Sequence, residues 1–235
     1  MHLTNVVADP TSVVLEGTVC SISFVRDILF PYALDVLPAF LRDNWDQPSF
    51  QPYREAFPEH ARDTPEHLES YVRELTAKDV KVACLKQLQG LLWRNGYESG
   101  AIKAPIYADV LPALQHWISS GKKVLVYSSG SVAAQKLLFK YTDTPLGDMM
   151  PLFSGYYDTV NAGLKQEPSS YKNIIAKEAI EPEAWLFLSD NVKEVEAAKA
   201  AGMDSIVLVR PGNAVLEDGV RDAHAVVDTF ADIAI

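Results

Sequence analysis

The chain has 235 residues, and 21 Lys and Arg against 31 Asp and Glu leave a formal net charge of −10. So acidic a chain offers no clustered cations for a phosphate backbone, which excludes nucleic acid as a partner, and no apolar run approaches the ~20 residues of a membrane span. Apolar residues make up 48% and charged residues 22%, a globular balance, while two cysteines, Cys20 and Cys84, can form neither a disulfide framework nor a four-thiolate zinc site.

Residues Met1 to Pro10 lack a cationic segment followed by an apolar one, so no secretory signal is expected. The setting is read as reducing and cytoplasmic, with the nucleus allowed as well. Val13-Val14-Leu15 is a short β-branched-rich strand run, followed at once by Glu16-Gly17-Thr18. From Phe24 to about Gly100 the apolar period is helical, through Phe24, Ile28, Leu29, Leu34, Leu37, Phe40 and Leu41. Pro48, Pro52 and Pro58 mark a loop; Leu68, Val72 and Leu75, then Val80, Cys84, Leu88, Leu91 and Leu92, resume the period.

After Pro105 strands alternate with helices. Asp109 to Ser120 is predicted helical, with Asp109 as N-cap, Pro112 in the first turn and Gly121 closing it. Strands are expected at 123–127, 184–188, 205–209 and 225–227, and helices at 131–141, 169–179 and 193–201. This rhythm implies right-handed crossovers and a parallel sheet. The expected fold is therefore α/β, a doubly wound, Rossmann-like parallel sheet with an all-helical insert. The core takes 1–21 and 105–235, and the insert 22–104. The absence of heptads makes a monomer the expected state.

Parallel sheets bind ligands at the carboxyl ends of their strands. The polar residues there are Glu16-Gly17-Thr18, then Ser128-Ser129-Gly130-Ser131, then Ser189-Asp190-Asn191. Lys165 lies in the loop before the helix from Ser169. Singly, each has a plainer reading: Ser-Ser-Gly-Ser and Asp190 as helix caps, Lys165 and Glu194 as surface charges. Glu194 could equally stand behind Asp190, one helical turn on. Together, two carboxylates, hydroxyls at a helix start and one lysine are the inventory for a divalent cation and a phosphate. The histidines offer no zinc pattern, and there is no P-loop and no Gly-x-Ser-x-Gly elbow. Cys20 has no nearby histidine and is read as small apolar filler.

The order of these motifs resembles the haloacid dehalogenase superfamily of phosphatases. Finer segments resemble its enolase-phosphatases, or acireductone synthases, of methionine salvage. They are Glu16 to Tyr32, Lys86-Gln-Leu-Gln-Gly90, Gly96-Tyr-Glu-Ser-Gly100, Tyr127-Ser-Ser-Gly-Ser131, Phe187-Leu-Ser-Asp-Asn191 and Arg210-Pro-Gly-Asn213. The resemblance covers nearly the whole chain and makes the helical insert a cap domain. It implies that Ser128 and Ser129 hold the substrate phosphate, and that Lys165 binds the phosphate and the nucleophile. Asp190 and Glu16 become ligands of one Mg²⁺ per chain, with Glu16 also placed for acid–base work. The implied substrate is a small phosphorylated diketone, 2,3-diketo-5-methylthiopentyl-1-phosphate, which is enolised and then loses phosphate.

One departure is sharp. The family motif Asp-x-Glu-Gly-Thr carries its nucleophile two residues before the glutamate, and here that residue is Val14. Asp9 lies seven residues before Glu16, ~23 Å along an extended strand. Pro10-Thr-Ser-Val13 is poor material for a buried central strand. Val13-Val-Leu15 therefore reads as the strand itself, run directly into Glu16, the trace of three missing residues of the form apolar-Asp-apolar. Three readings follow: the family enzyme without its nucleophile, a pseudo-phosphatase binding a phosphorylated ligand or partner, and a related hydrolase with another substrate.

Overall fold

The computed structural model describes residues 10–15 and 17–235. Glu16, expected as catalytic and metal-binding, and Asp9, the carboxylate upstream of it, lie outside the described residues. The chain forms two compact units, Met1–Ile22 with Ala104–Ile235, and Ser23–Lys103.

The first unit is built on a six-stranded parallel sheet of order β3-β2-β1-β4-β5-β6. Its strands are β1 (Ser12–Leu15), β2 (Lys123–Tyr127), β3 (Gly155–Tyr157), β4 (Trp185–Ser189), β5 (Asp204–Leu208) and β6 (Val226–Val227). This is the expected α/β architecture. β1 lies between β2 and β4, and every one of its residues is buried. A strand covered on both faces needs an unbroken apolar run rather than alternation, which Val13-Val14-Leu15 supplies. Ser12 nevertheless belongs to the strand, and Thr11 continues its ladder, donating to Ala184 O at 2.9 Å and accepting from Lys123 N at 3.0 Å. The strand thus starts earlier than its composition suggested, and Ser12 Oγ is buried without a hydrogen-bond partner.

The alternating strand faces fill two apolar layers. Val13 and Leu15 join Val124, Val126, Trp117, Leu186, Leu188 and Phe230. Val14 joins Leu125, Tyr127, Tyr171, Trp185 and Phe187. Cys20 packs against the first layer, as filler should, and burial pushes its thiol up to about 11.

Two expectations are corrected here. No strand was expected at 155–157; three residues carry no readable period, and their pairing with Leu125–Tyr127 makes the strand. Asp109 stands at the N-cap position of the helix Val110–Ser119, but its side chain does not cap it. The carboxylate accepts instead from Arg210 Nη1, Thr229 Oγ1 and Phe230 N, at 2.8, 2.9 and 2.7 Å. Gly121, at φ +85°, does end the helix as expected.

The second unit is helical throughout its regular structure. Its long helices are Phe30–Asn44, Pro65–Ala77 and Ala83–Glu98, preceded by the π-helical turn Val25–Leu29. Leu37, Leu41, Leu68, Val72, Leu88 and Leu92 form its core. Trp93 Nε1 donates to Leu29 O at 2.7 Å, satisfying a carbonyl at the end of the π turn. The proline-rich stretch is more ordered than a loop: it carries the short helix Gln51–Glu55, with Pro52 in its first turn, and a single 3₁₀ turn, Glu59–Ala61.

Candidate active site

β2 ends at Tyr127 and β4 at Ser189, so Ser128 and Asp190 leave the carboxyl ends of the two strands that flank β1. Ser128 is half-buried; its N–H donates to Tyr157 O at 3.1 Å, and its Oγ accepts from Gly130 N at 3.2 Å. A hydroxyl accepting one bond keeps its own proton for an anion. Ser129 is exposed. The helix cap in this stretch is Ser131, whose side chain accepts from Ala134 N at 3.3 Å.

Asp158, buried just after β3, is a positioning carboxylate that the sequence alone did not single out. Its Oδ2 accepts from Val132 N at 3.0 Å, at the start of the helix Val132–Lys140. Its Oδ1 accepts from Val160 N and Asn161 N at 2.9 and 3.0 Å. One carboxylate thereby joins the serine-bearing turn to the loop that leads to Lys165. That loop is held by its carbonyls: Asn173 donates to Ala162 O, Tyr127 to Gly163 O, Ser170 to Leu164 O and Tyr171 to Lys165 O, at 2.6 to 2.9 Å. Four neighbouring carbonyls engaged by side chains fix the backbone from which Lys165 projects.

Lys165 is no solvated surface charge. Its Nζ sits 2.7 Å from Glu194 Oε1, with both side chains largely buried. Glu194 Oε2 accepts from Ser189 Oγ at 2.9 Å, and Ser189 Oγ accepts from Asn191 N at 3.1 Å. Buried carboxylates survive only when paired and hydrogen-bonded; Glu194 is both, so it belongs to the site and not to the surface.

Asp190 does not cap the helix after it. Asn191 does, accepting from Lys193 N at 3.0 Å. The Asp190 carboxylate receives a hydrogen bond from Asn213 Nδ2. Burial first, then the Glu194 carboxylate, push its carboxyl above the usual range, against the Asn213 bond and the Lys165 charge. The structure therefore brings Lys165, Asp190 and Glu194 into one electrostatic cluster, with Ser128 across β1. Among the described residues no three metal-ligating side chains meet. A hard cation that keeps its waters needs only one or two carboxylates, and one with a raised pKa beside another anion is stabilised by a divalent charge. Asp190 fits that role.

Gly17 completes the arrangement. Its φ is +63°, and a Cβ there would stand 2.8 Å from Asp190 Oδ1. Gly17→Ala is expected to cost about 1–2 kcal/mol from the left-handed backbone alone, with displacement of the Asp190 carboxylate in addition. A thermal melt with no loss would show that the loop has another conformation within easy reach.

A parallel sheet with Ser128, Lys165 and Asp190 following successive strand ends defines a haloacid dehalogenase-like hydrolase. The model of that family, described as haloacid dehalogenase-like hydrolase, matches residues 9–202. The chain is 56% identical over 221 residues to Enolase-phosphatase E1 of Podospora anserina, covering 93% of this chain and 94% of that one. It is 54% identical to Enolase-phosphatase E1 of Neurospora crassa, with the same coverage. The crystal structure of UTR4 protein from Saccharomyces cerevisiae superposes with a TM-score of 0.82 at 39% identity, over 94% of this chain and 98% of that one. The chain belongs to the enolase-phosphatase E1 family of these hydrolases.

Proposed function

We propose that this chain is the Mg²⁺-dependent enolase-phosphatase scaffold of methionine salvage, acting on 2,3-diketo-5-methylthiopentyl-1-phosphate, and that it lacks the nucleophile of that reaction. The observation that carries the reading is the cluster of Lys165, Asp190 and Glu194 across β1 from Ser128. Ser128 and Ser129 hydroxyls bind phosphate oxygens at the helix start. The Lys165 ammonium, aligned by Glu194, offsets phosphoryl charge. Asp190 and Glu16 hold the cation, and Glu16 moves the proton of the enolisation. Mg²⁺, when bound, contributes charge neutralisation at the phosphoryl oxygens. The helical unit is taken as the cap domain, residues 22–104, and the protein as a cytoplasmic monomer. No helix among the described residues is long and apolar enough to cross a membrane.

The missing nucleophile has its own support. Leu15 pairs with Val126 on one side and Leu188 on the other. Continuing that register by two residues arrives level with Ser128 and Asp190. The residue two past Leu15 is Gly17, which has no side chain to attack phosphorus. Val14 is level with Leu125 and Phe187, inside the sheet. This register favours the second reading, a phosphatase fold that binds a phosphorylated ligand without turning it over.

The test measures phosphate release from the diketo phosphate, with and without Mg²⁺, beside its binding affinity. The expected result is binding that Ser128→Ala and Lys165→Ala weaken, with no release above the blank. Rapid release by the unmodified chain would overturn the nucleophile argument. Binding indifferent to both substitutions would overturn the site.

A further inference from the structure

Arg210 is among the most buried charged residues described, at 5% exposure. Its guanidinium lies between two rings, 4.6 Å from the centroid of Tyr107 and 4.9 Å from that of Phe230. Its Nη1 reaches Asp109 Oδ2 at 2.8 Å. Burial, the Phe230 N–H, Arg210 and Thr229 all act on the Asp109 carboxyl, and the hydrogen bonds win, holding it below its usual range. So much describes a structural ion pair. Two further contacts do not.

Arg210 Nε donates to Thr18 O at 2.8 Å, gripping the loop one residue past Gly17. Arg210 O accepts from Asn213 N at 3.0 Å, closing a turn with Pro211 and with Gly212 at φ +88°. Proline followed by a positive-φ glycine is the pattern of a type II turn, which fixes Asn213 relative to Arg210. Asn213 Nδ2 then donates to Asp190 Oδ2, while a Cβ at Gly17 would stand 2.8 Å from Asp190 Oδ1. Thr18, Gly17, Asp190, Asn213 and Arg210 are thus neighbours around the carboxylate, with the Asn213 amide on one oxygen and the space at Gly17 beside the other.

We infer that Arg210 is a positioning residue for the Asp190 carboxylate, acting through Thr18 on one oxygen's side and through Asn213 on the other. The inference rests on Asp190 as a cation ligand. Outer partners of a ligand typically set 10–100-fold of metal affinity. The planar guanidinium serves Thr18 O and Asp109 at once from Nε and Nη1, and an ammonium has no such fork.

The experiment titrates Mn²⁺, as a hard-cation probe, into the full chain and follows it by electron paramagnetic resonance. Arg210→Lys and Asn213→Ala are each expected to lower affinity about tenfold, and the double variant more than either, because the guanidinium holds Thr18 while the Asn213 amide holds Asp190 directly. Phe230→Leu removes a ring from the guanidinium but none of its hydrogen bonds. It should lower Tm and leave affinity within about twofold. If affinity falls with Tm in Phe230→Leu as it does in Arg210→Lys, the role is merely structural and the inference fails. Asn213 is a half-buried residue between exposed neighbours, so Asn213→Ala retains the fold even if Arg210→Lys does not; unchanged affinity there is also decisive against it. Asp190→Asn separates the two readings. Should it leave Mn²⁺ binding intact, the cation assignment is wrong, and crystal structures of the metal-free variants decide instead. An Asp190 carboxylate turned from its place in Asn213→Ala or Arg210→Lys supports positioning, and an unmoved one overturns it.

Discussion

Inserting Leu-Asp-Ile between Leu15 and Glu16 is expected to create Mg²⁺-dependent phosphate release where the unmodified chain has none. Counted on from Leu15, the inserted leucine falls level with Tyr127 and Ser189 and the aspartate with Ser128 and Asp190. That is the carboxyl edge of the sheet, beside the hydroxyl and carboxylate that the phosphate and cation require. The insertion also adds ~10 Å of strand at the centre of the sheet. Gly17, where a Cβ would stand 2.8 Å from Asp190 Oδ1, is then moved away from that carboxylate. Loss of the nucleophilic serine of a serine protease costs up to ~10⁶ in kcat, so a gain of at least ~10³ in phosphate release is the expected size. Tm should rise with it. A folded insertion variant that binds Mg²⁺ and the diketo phosphate but releases nothing would rule out the three-residue account.

Val14→Asp should fail on both counts. It restores the motif in sequence while leaving the carboxylate level with Leu125 and Phe187, at a position 0% exposed. Its neighbours would be Leu125, Tyr127, Tyr171, Trp185 and Phe187. A stranded charge in such a layer costs on the order of 3–5 kcal/mol, a large part of a domain's stability. The sign with pH follows. Burial raises the folded-state pKa of the new carboxyl above the unfolded value of ~3.9. The penalty is therefore smallest in acid, where both states hold the proton. It grows as pH rises through ~3.9 towards the folded pKa. Urea midpoints for the variant and the unmodified chain should thus lie closer together at pH 5 than at pH 7.5. A gap that is constant with pH would mean that the side chain reaches water. Phosphatase activity matching that of the insertion variant would favour point replacement of the aspartate.

The unmodified chain and its two repairs differ only around β1, yet the consequence depends on register, which spacing in the sequence does not reveal. The residue two before Glu16 is Val14, which its pairing with Leu125 and Phe187 puts inside the core and not at the strand end. A count along the chain leads to Val14; the pairing with β2 and β4 says which of the two variants sets an aspartate at the strand end.

Much of the rest was legible because it is local. Val13-Val-Leu15, Lys123-Val-Leu-Val-Tyr127 and Ala184-Trp-Leu-Phe-Leu188 read as strands by apolar content alone, the last one residue early, and the helices between them carry their own period and stops. Helices follow them by right-handed crossover, so Ser128 and Asp190 had to emerge on the same edge of the sheet. Local rules failed where a polar side chain had a choice of partner. Asp109 and Asp190 each precede a helix and look like caps. Tertiary structure instead offers Asp109 the Arg210 guanidinium 101 residues away and offers Asp190 the Asn213 amide 23 residues away. Lys165 and Glu194 look like surface charges for the same reason: a charge is buried only if a partner arrives from elsewhere in the chain, and here each is the other's partner. Burial strengthens such pairs and makes an unpaired group costly, so the sequence set which residues line the site, and the packed sheet decided which of their charges meet.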